Sequence, residues 1–81
     1  MPHFTDEARD QLLALPKAIR GRMWNLVDRL ERWPAVSGVR PLRGNLAHHY
    51  RMRTGDFRLQ FRVEGEDIII EQIGHRDRFY D

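Results

Sequence analysis

Five arginines crowd residues 41–63 of this chain: Arg43, Arg51, Arg53, Arg58 and Arg62, with Asp56 as the one acid among those residues. The next ten residues reverse the balance, carrying Glu64, Glu66, Asp67 and Glu71 and no base. The planar, permanently charged fork of arginine matches the oxygens of a phosphate. A basic block beside an acidic one points to a localised anion site, not an evenly basic coat. His49 lies within the basic block and His75 just after the acidic one; an imidazole titrates near neutrality and can carry protons. Tyr80 offers an aromatic face to a base and a hydroxyl to a phosphate. Other chemistries lack their residues. There is no cysteine, which removes thiolate chemistry, disulfides and Cys-based zinc sites. His48 and His49 are adjacent, so on a strand they point to opposite faces, and no acid cluster completes a metal site with them. No glycine-rich phosphate loop, nucleophile elbow or paired-carboxylate pattern occurs. No metal ion or other cofactor is expected.

These side chains must be held by something, and the spacing of apolar residues says what. Thr5 reads as an N-cap, followed by Asp6 and Glu7 where a helix dipole favours acids. Ala8, Leu12 and Leu15 then recur at helical spacing, and Pro16 ends that helix or opens the next. Ile19, Met23, Leu26, Val27, Leu30 and Trp33 form one apolar stripe, stopped by Pro34. Two helices joined at Pro16 read as an αα-hairpin. A loop rich in Pro and Gly follows, from Pro34 to Gly44. The period then changes to two. Tyr50, Met52, Leu59, Phe61 and Val63 alternate with arginines and Gln60, and Ile68 to Ile73 reads as a third strand. The expected fold is α+β: an N-terminal two-helix hairpin packed on a small antiparallel sheet, a three-stranded meander with room for a short N-terminal edge strand at Pro2–Phe4.

Turn length decides which residues meet. A two-residue Gly55-Asp56 loop sets Arg53 opposite Arg58, Arg51 opposite Gln60 and His49 opposite Arg62, with Met52, Leu59, Tyr50 and Phe61 on the other face. A three-residue loop would mix the faces, which a half-buried sheet resists. The same reasoning at Gly65-Glu66 places Glu71 beside Gln60, diagonal to Arg58 and Arg62. One face then carries His49, Arg51, Arg53, Arg58 and Arg62, and the like-charged Arg53–Arg58 pair costs some tenths of a kcal/mol.

The chain is 81 residues long, 41% hydrophobic and 32% charged. That is enough for one domain over residues 1–81 and too apolar for disorder. A chain of this size buries only roughly two-thirds of its unfolded surface, so almost every apolar residue must serve one small core. No apolar run approaches the ~20 residues of a membrane span, and the start lacks the basic and apolar regions of a signal peptide. A cytoplasmic protein without membrane contact is expected.

The helical pair, the "PLRGNL" approach, "YRMRTGDFRLQFRV" and the ending "GHRDRFY" together resemble the RelE/ParE superfamily of toxins from bacterial type II toxin–antitoxin pairs. The resemblance spans nearly the whole chain. It implies a RelE-like, ribosome-dependent mRNA endonuclease that inhibits translation, or on the same fold a ParE-like poison that binds DNA gyrase without catalysis. In the RelE-like pattern, Arg51 and Arg53 match the basic pair on a sheet strand, Arg58 the arginine after the glycine turn, Arg76 the basic residue near the end, and Tyr80 the C-terminal tyrosine. The resemblance thus implies that Arg51, Arg53, Arg58 and Arg76 hold the scissile phosphate; the register adds Arg62 and His49, on the same face, as further RNA-phosphate contacts. Tyr80 would stack on a base. Arginine is a poor general base, so the candidates for proton transfer are His75, as acid, and His49, as base. The implied partners are a cognate antitoxin, then the ribosome and mRNA or DNA gyrase, and operator DNA only through the antitoxin complex.

Overall fold

In the computed structural model, which describes residues 2–44 and 47–79, the Thr5 side chain accepts a hydrogen bond from the Ala8 amide at 3.1 Å. That bond caps α1 (Asp6–Leu13), with Asp6 and Glu7 in the first turn as the dipole prefers. Pro16 directly precedes α2 (Lys17–Arg29), whose Met23, Leu26 and Val27 are buried. A single 3₁₀ turn, Leu30–Arg32, extends the stripe to buried Leu30.

The sheet has five strands: β1 (Pro2–Phe4), β2 (Arg40–Pro41), β3 (His49–Thr54), β4 (Phe57–Glu64) and β5 (Asp67–His75), in the order β1-β5-β4-β3-β2. The expected meander is its centre, β3-β4-β5. β1 is the short N-terminal edge strand allowed for at Pro2–Phe4, and the expectation is corrected on the other side, where β2 is added. β1 runs parallel to β5, so the sheet is mixed, while the remaining pairs are antiparallel. β1 and β2 are three and two residues long, too short to show a period. Pro41 is tolerated in β2 because that strand lies at an edge.

The helices do not form a self-contained hairpin. α1 packs chiefly on β5 and α2 on β3, with only slight contact between the two. They cover one face of the sheet. The core consists of Ala8, Leu12, Met23, Leu26, Val27 and Leu30 from the helical side and Met52, Leu59, Phe61, Ile68, Ile70 and Ile73 from the strands. Trp33 closes it at one end, edge-on to Tyr50 and Phe61 with ring centroids 4.9 and 5.4 Å away.

The β3–β4 register is the one the turn dictates. Thr54 pairs with Phe57, Arg53 with Arg58, Arg51 with Gln60 and His49 with Arg62. Gly55 supplies the positive φ, 58°, that a tight two-residue turn demands. Between β4 and β5, Glu64 pairs with Asp67 and Phe61 with Ile70, but Gln60 then pairs with Gln72. The expected Glu71–Gln60 pairing is therefore corrected: Glu71 is the extra residue of a β-bulge. The bulge has a physical reason. Strict alternation from Ile68 and Ile70 would turn Gln72 inward and Ile73 outward, whereas one extra residue buries Ile73 to 1% exposure.

Candidate functional site

The sheet face away from the helices collects the polar side chains of β2 to β5. It is built from two like-charged cross-strand pairs that share β3. Arg53 stands opposite Arg58 on β4, and Arg40 stands opposite Arg51 from β2. These four arginines line a shallow cleft of about 140 Å³ with Gly38 and Met52. Burial, and then the charges of Arg58, Arg40 and Arg53, hold the Arg51 guanidinium below its ordinary range. It remains a cation, but in a strongly positive field. Such a cleft concentrates anions and suits phosphate oxygens.

The other end of the face is neutralised. The Arg62 guanidinium donates to Glu71 Oε2 at 2.9 Å and to Glu64 Oε1 at 3.1 Å. Its hydrogen bonds to Glu64 and then to Glu71 hold it above its ordinary range. His49 Nε2 lies 3.2 Å from Glu71 Oε1, and its Nδ1 lies 3.1 Å from the Ala47 carbonyl oxygen. Both ring nitrogens thus face protein oxygens, which leaves neither aimed at an incoming hydroxyl. The bulge is what brings Glu71 to these two side chains.

The C-terminal candidates occupy different places. The Arg76 amide donates to the Asp56 carbonyl at 2.7 Å, and Arg76 Nη1 lies 3.6 Å from Asp56 Oδ1. Arg76 is thereby fastened to the turn that joins the strands of the Arg53–Arg58 pair. His75 is the last residue of β5 and stands opposite Phe57. Phe57 belongs to the inward series of β4, so His75 sits on the helix side of the sheet, edge-on to Phe57 at 5.3 Å. Its Nδ1 accepts from the Asp77 amide at 3.2 Å. His75 lines a second cavity of about 400 Å³ with Gln11, Leu15 and Arg78, not the arginine cleft. Tyr80 lies outside the described residues.

The structure thus brings Arg51, Arg53 and Arg58 together and places Arg76 at their border. It sets Arg62 and His49 in a separate acidic network and His75 on the opposite face. Sequence reasoning misses Arg40, which falls in the Pro- and Gly-rich segment from Pro34 to Gly44. The one signal available is Arg40-Pro41 itself, a charged residue and a proline side by side, the composition that sheet edges favour.

Comparison with known proteins follows the same outline. The family described as ParE toxin of type II toxin–antitoxin systems matches residues 3–80. Among solved structures, the toxin–antitoxin complex RelBE2 from Mycobacterium tuberculosis contains a chain that is 32% identical, with a TM-score of 0.79 over 94% of this chain and 96% of that one. A chain of the archaeal RelE–RelB complex from Pyrococcus horikoshii OT3 is 28% identical, with a TM-score of 0.76 over 96% of each chain. The isolated E. coli RelE toxin is 18% identical, with a TM-score of 0.80 over 93% of this chain and 82% of that one. At that identity the likeness is one of fold. Comparison with curated protein sequences gives no match.

Proposed function

This chain belongs to the RelE/ParE family of type II toxin–antitoxin toxins, and from that premise we propose that its arginine cleft binds and cleaves messenger RNA on the ribosome. The reaction is attack of a ribose 2′-hydroxyl on the adjacent phosphorus. The P–O5′ bond breaks, the 2′-hydroxyl proton passing to water and the departing 5′-oxygen taking a proton from water, which leaves a cyclic phosphate and a 5′-hydroxyl. Negative charge builds on the phosphorane oxygens as attack proceeds. Fixed cations aimed at that charge lower the barrier without having to reorganise. Arg51 and Arg58 take that role, Arg53 positions the phosphate, and Arg76 adds charge from the Asp56 turn. Tyr80 is the candidate for stacking on a base. The observation that supports this reading is the meeting of Arg51, Arg53 and Arg58, with Arg40, on one cleft. His75 faces away from it, so the reading rests on electrostatic stabilisation and not on that imidazole. The partner is an antitoxin, by analogy with the relatives solved as toxin–antitoxin complexes.

A second reading has its own support, since the matching family is described by its ParE members. In it the same cleft docks on DNA gyrase and catalyses nothing. Message integrity and plasmid supercoiling, followed within minutes of inducing the toxin without antitoxin, separate the two. The expected result is cuts inside translated messages that vanish when ribosomes cannot load. Intact messages with gyrase-linked DNA breaks would overturn the nuclease reading.

A further inference from the structure

The four arginines of the cleft are arranged in two cross-strand pairs. Arg53 and Arg58 face each other across β3 and β4; Arg40 and Arg51 face each other across β2 and β3. The pairs are displaced along β3 by two residues, roughly 7 Å at the rise of an extended strand. That step is comparable with the one between consecutive phosphates of an extended single strand. We infer that Arg40 forms a second phosphate subsite, with Arg51 shared between it and the scissile phosphate, so that the cleft holds two adjacent phosphodiesters of one RNA strand.

Three further observations support this. Arg40 is exposed and sits on a two-residue edge strand outside the core, so packing does not account for a cation there. The approach to Arg40 is also fixed. From α2, the Arg29 guanidinium donates to both the carbonyl and the hydroxyl oxygen of Ser37. That clamp holds the loop one residue before Gly38, whose φ of 78° puts a residue without a side chain at the rim of the cleft. A Cβ at Gly38 would press to 3.3 Å on Arg29 Nη2, so the glycine leaves room for the clamp. The crowding that lowers Arg51 includes Arg40 among its causes, which places their charges within effective range of each other.

The inference rests on the RNA reading of the face, and its test separates the two. The probes are a 2′-O-methyl trinucleotide, which cannot be cleaved, and the same trinucleotide with one phosphodiester replaced by an uncharged methylphosphonate. Binding of each to the purified toxin is measured over a series of salt concentrations. The wild type is expected to prefer the fully charged probe. Arg40→Gln should erase that preference and flatten the slope of log K against log salt by about 0.7, the single-strand value for one phosphate contact. Arg58→Gln should weaken both probes. An Arg40→Gln protein that keeps the full preference and the wild-type slope overturns the second subsite while leaving the first standing. A wild type that binds neither probe overturns the RNA reading, and the subsite falls with it.

Discussion

Arg53 and Arg58 are held opposite each other by a tight turn, and that placement sets stability against function. A like-charged cross-strand pair costs up to about 1 kcal/mol. Arg53 is exposed and takes no part in the core, so removing its charge should relieve the fold. We expect Arg53→Gln to raise stability by about 0.5 kcal/mol, which for a domain of this size is a shift of about 2–4 °C in the melting temperature. The gain should shrink in high salt, where exposed charges are screened. RNA cleavage should fall in the same variant. Thermal melts at low and high salt, paired with a cleavage assay, check this; an unchanged or lower melting temperature at low salt would show that the pair carries no repulsion. This pair is legible in the amino-acid sequence, because Gly55-Asp56 fixes the register and the register fixes which arginines meet. Arg40 is not, because its two-residue strand is too short to show alternation and Arg40-Pro41 hints only at an edge. The placing of His75 is only half legible: it follows from the same pairing that sets Phe57 inward, combined with a bulge that alternation alone does not show.

That bulge also organises β5. Ile68, Ile70 and Ile73 are all buried, at spacings of two and then three. The change of spacing is the available sign that one residue is extra, but a continuous apolar run hides it. β5 also has an open edge to manage. β1 pairs with it only from Ile68 to Ile70, and beyond that its outward amides need other acceptors. The Thr5 amide donates to the Ile70 carbonyl at 3.0 Å, and the Ile73 amide donates to Gln11 Oε1 at 2.7 Å across from α1. Gln11 thus ties helix to strand at the point where the ladder runs out. Gln11→Ala should cost about 1 kcal/mol, the ordinary worth of one such bond, and should speed hydrogen exchange at the Ile73 amide selectively. Uniform exchange across β5 in that variant would mean that the edge is protected by packing and not by this bond. Short edge strands and edge caps of this kind leave almost no trace in sequence, since they depend on what lies across space, not along the chain.

Taken as one body, the molecule is a sheet with helices on a single face, so each strand carries stability on one side and chemistry on the other. Arg58 and Leu59 are neighbours on β4 and show the division. Leu59 is fully buried between the helices and the sheet, whereas Arg58 lines the cleft on the opposite face. Both substitutions to alanine should abolish toxicity, for different reasons. Leu59→Ala opens a cavity in a core of a dozen residues and should cost about 2–5 kcal/mol. In a chain this small that is a large part of the total stability, which for native domains is about 5–15 kcal/mol. Its product should melt early and be cleared or aggregate. Arg58 lies outside that core, so Arg58→Ala should leave the melting temperature within a few degrees of wild type. If Arg58 stabilises the phosphorane, its loss should lower cleavage by about 10²–10³-fold, the usual effect of deleting one such stabilising group. Thermal melts and cleavage rates for the two variants, with antitoxin binding as a check on the fold, distinguish the cases. A well-folded Arg58→Ala protein that still cleaves messages at the wild-type rate would remove the cleft from the chemistry. A well-folded, antitoxin-binding Leu59→Ala protein at full stability would mean that the core is not organised as the packing of β4 requires.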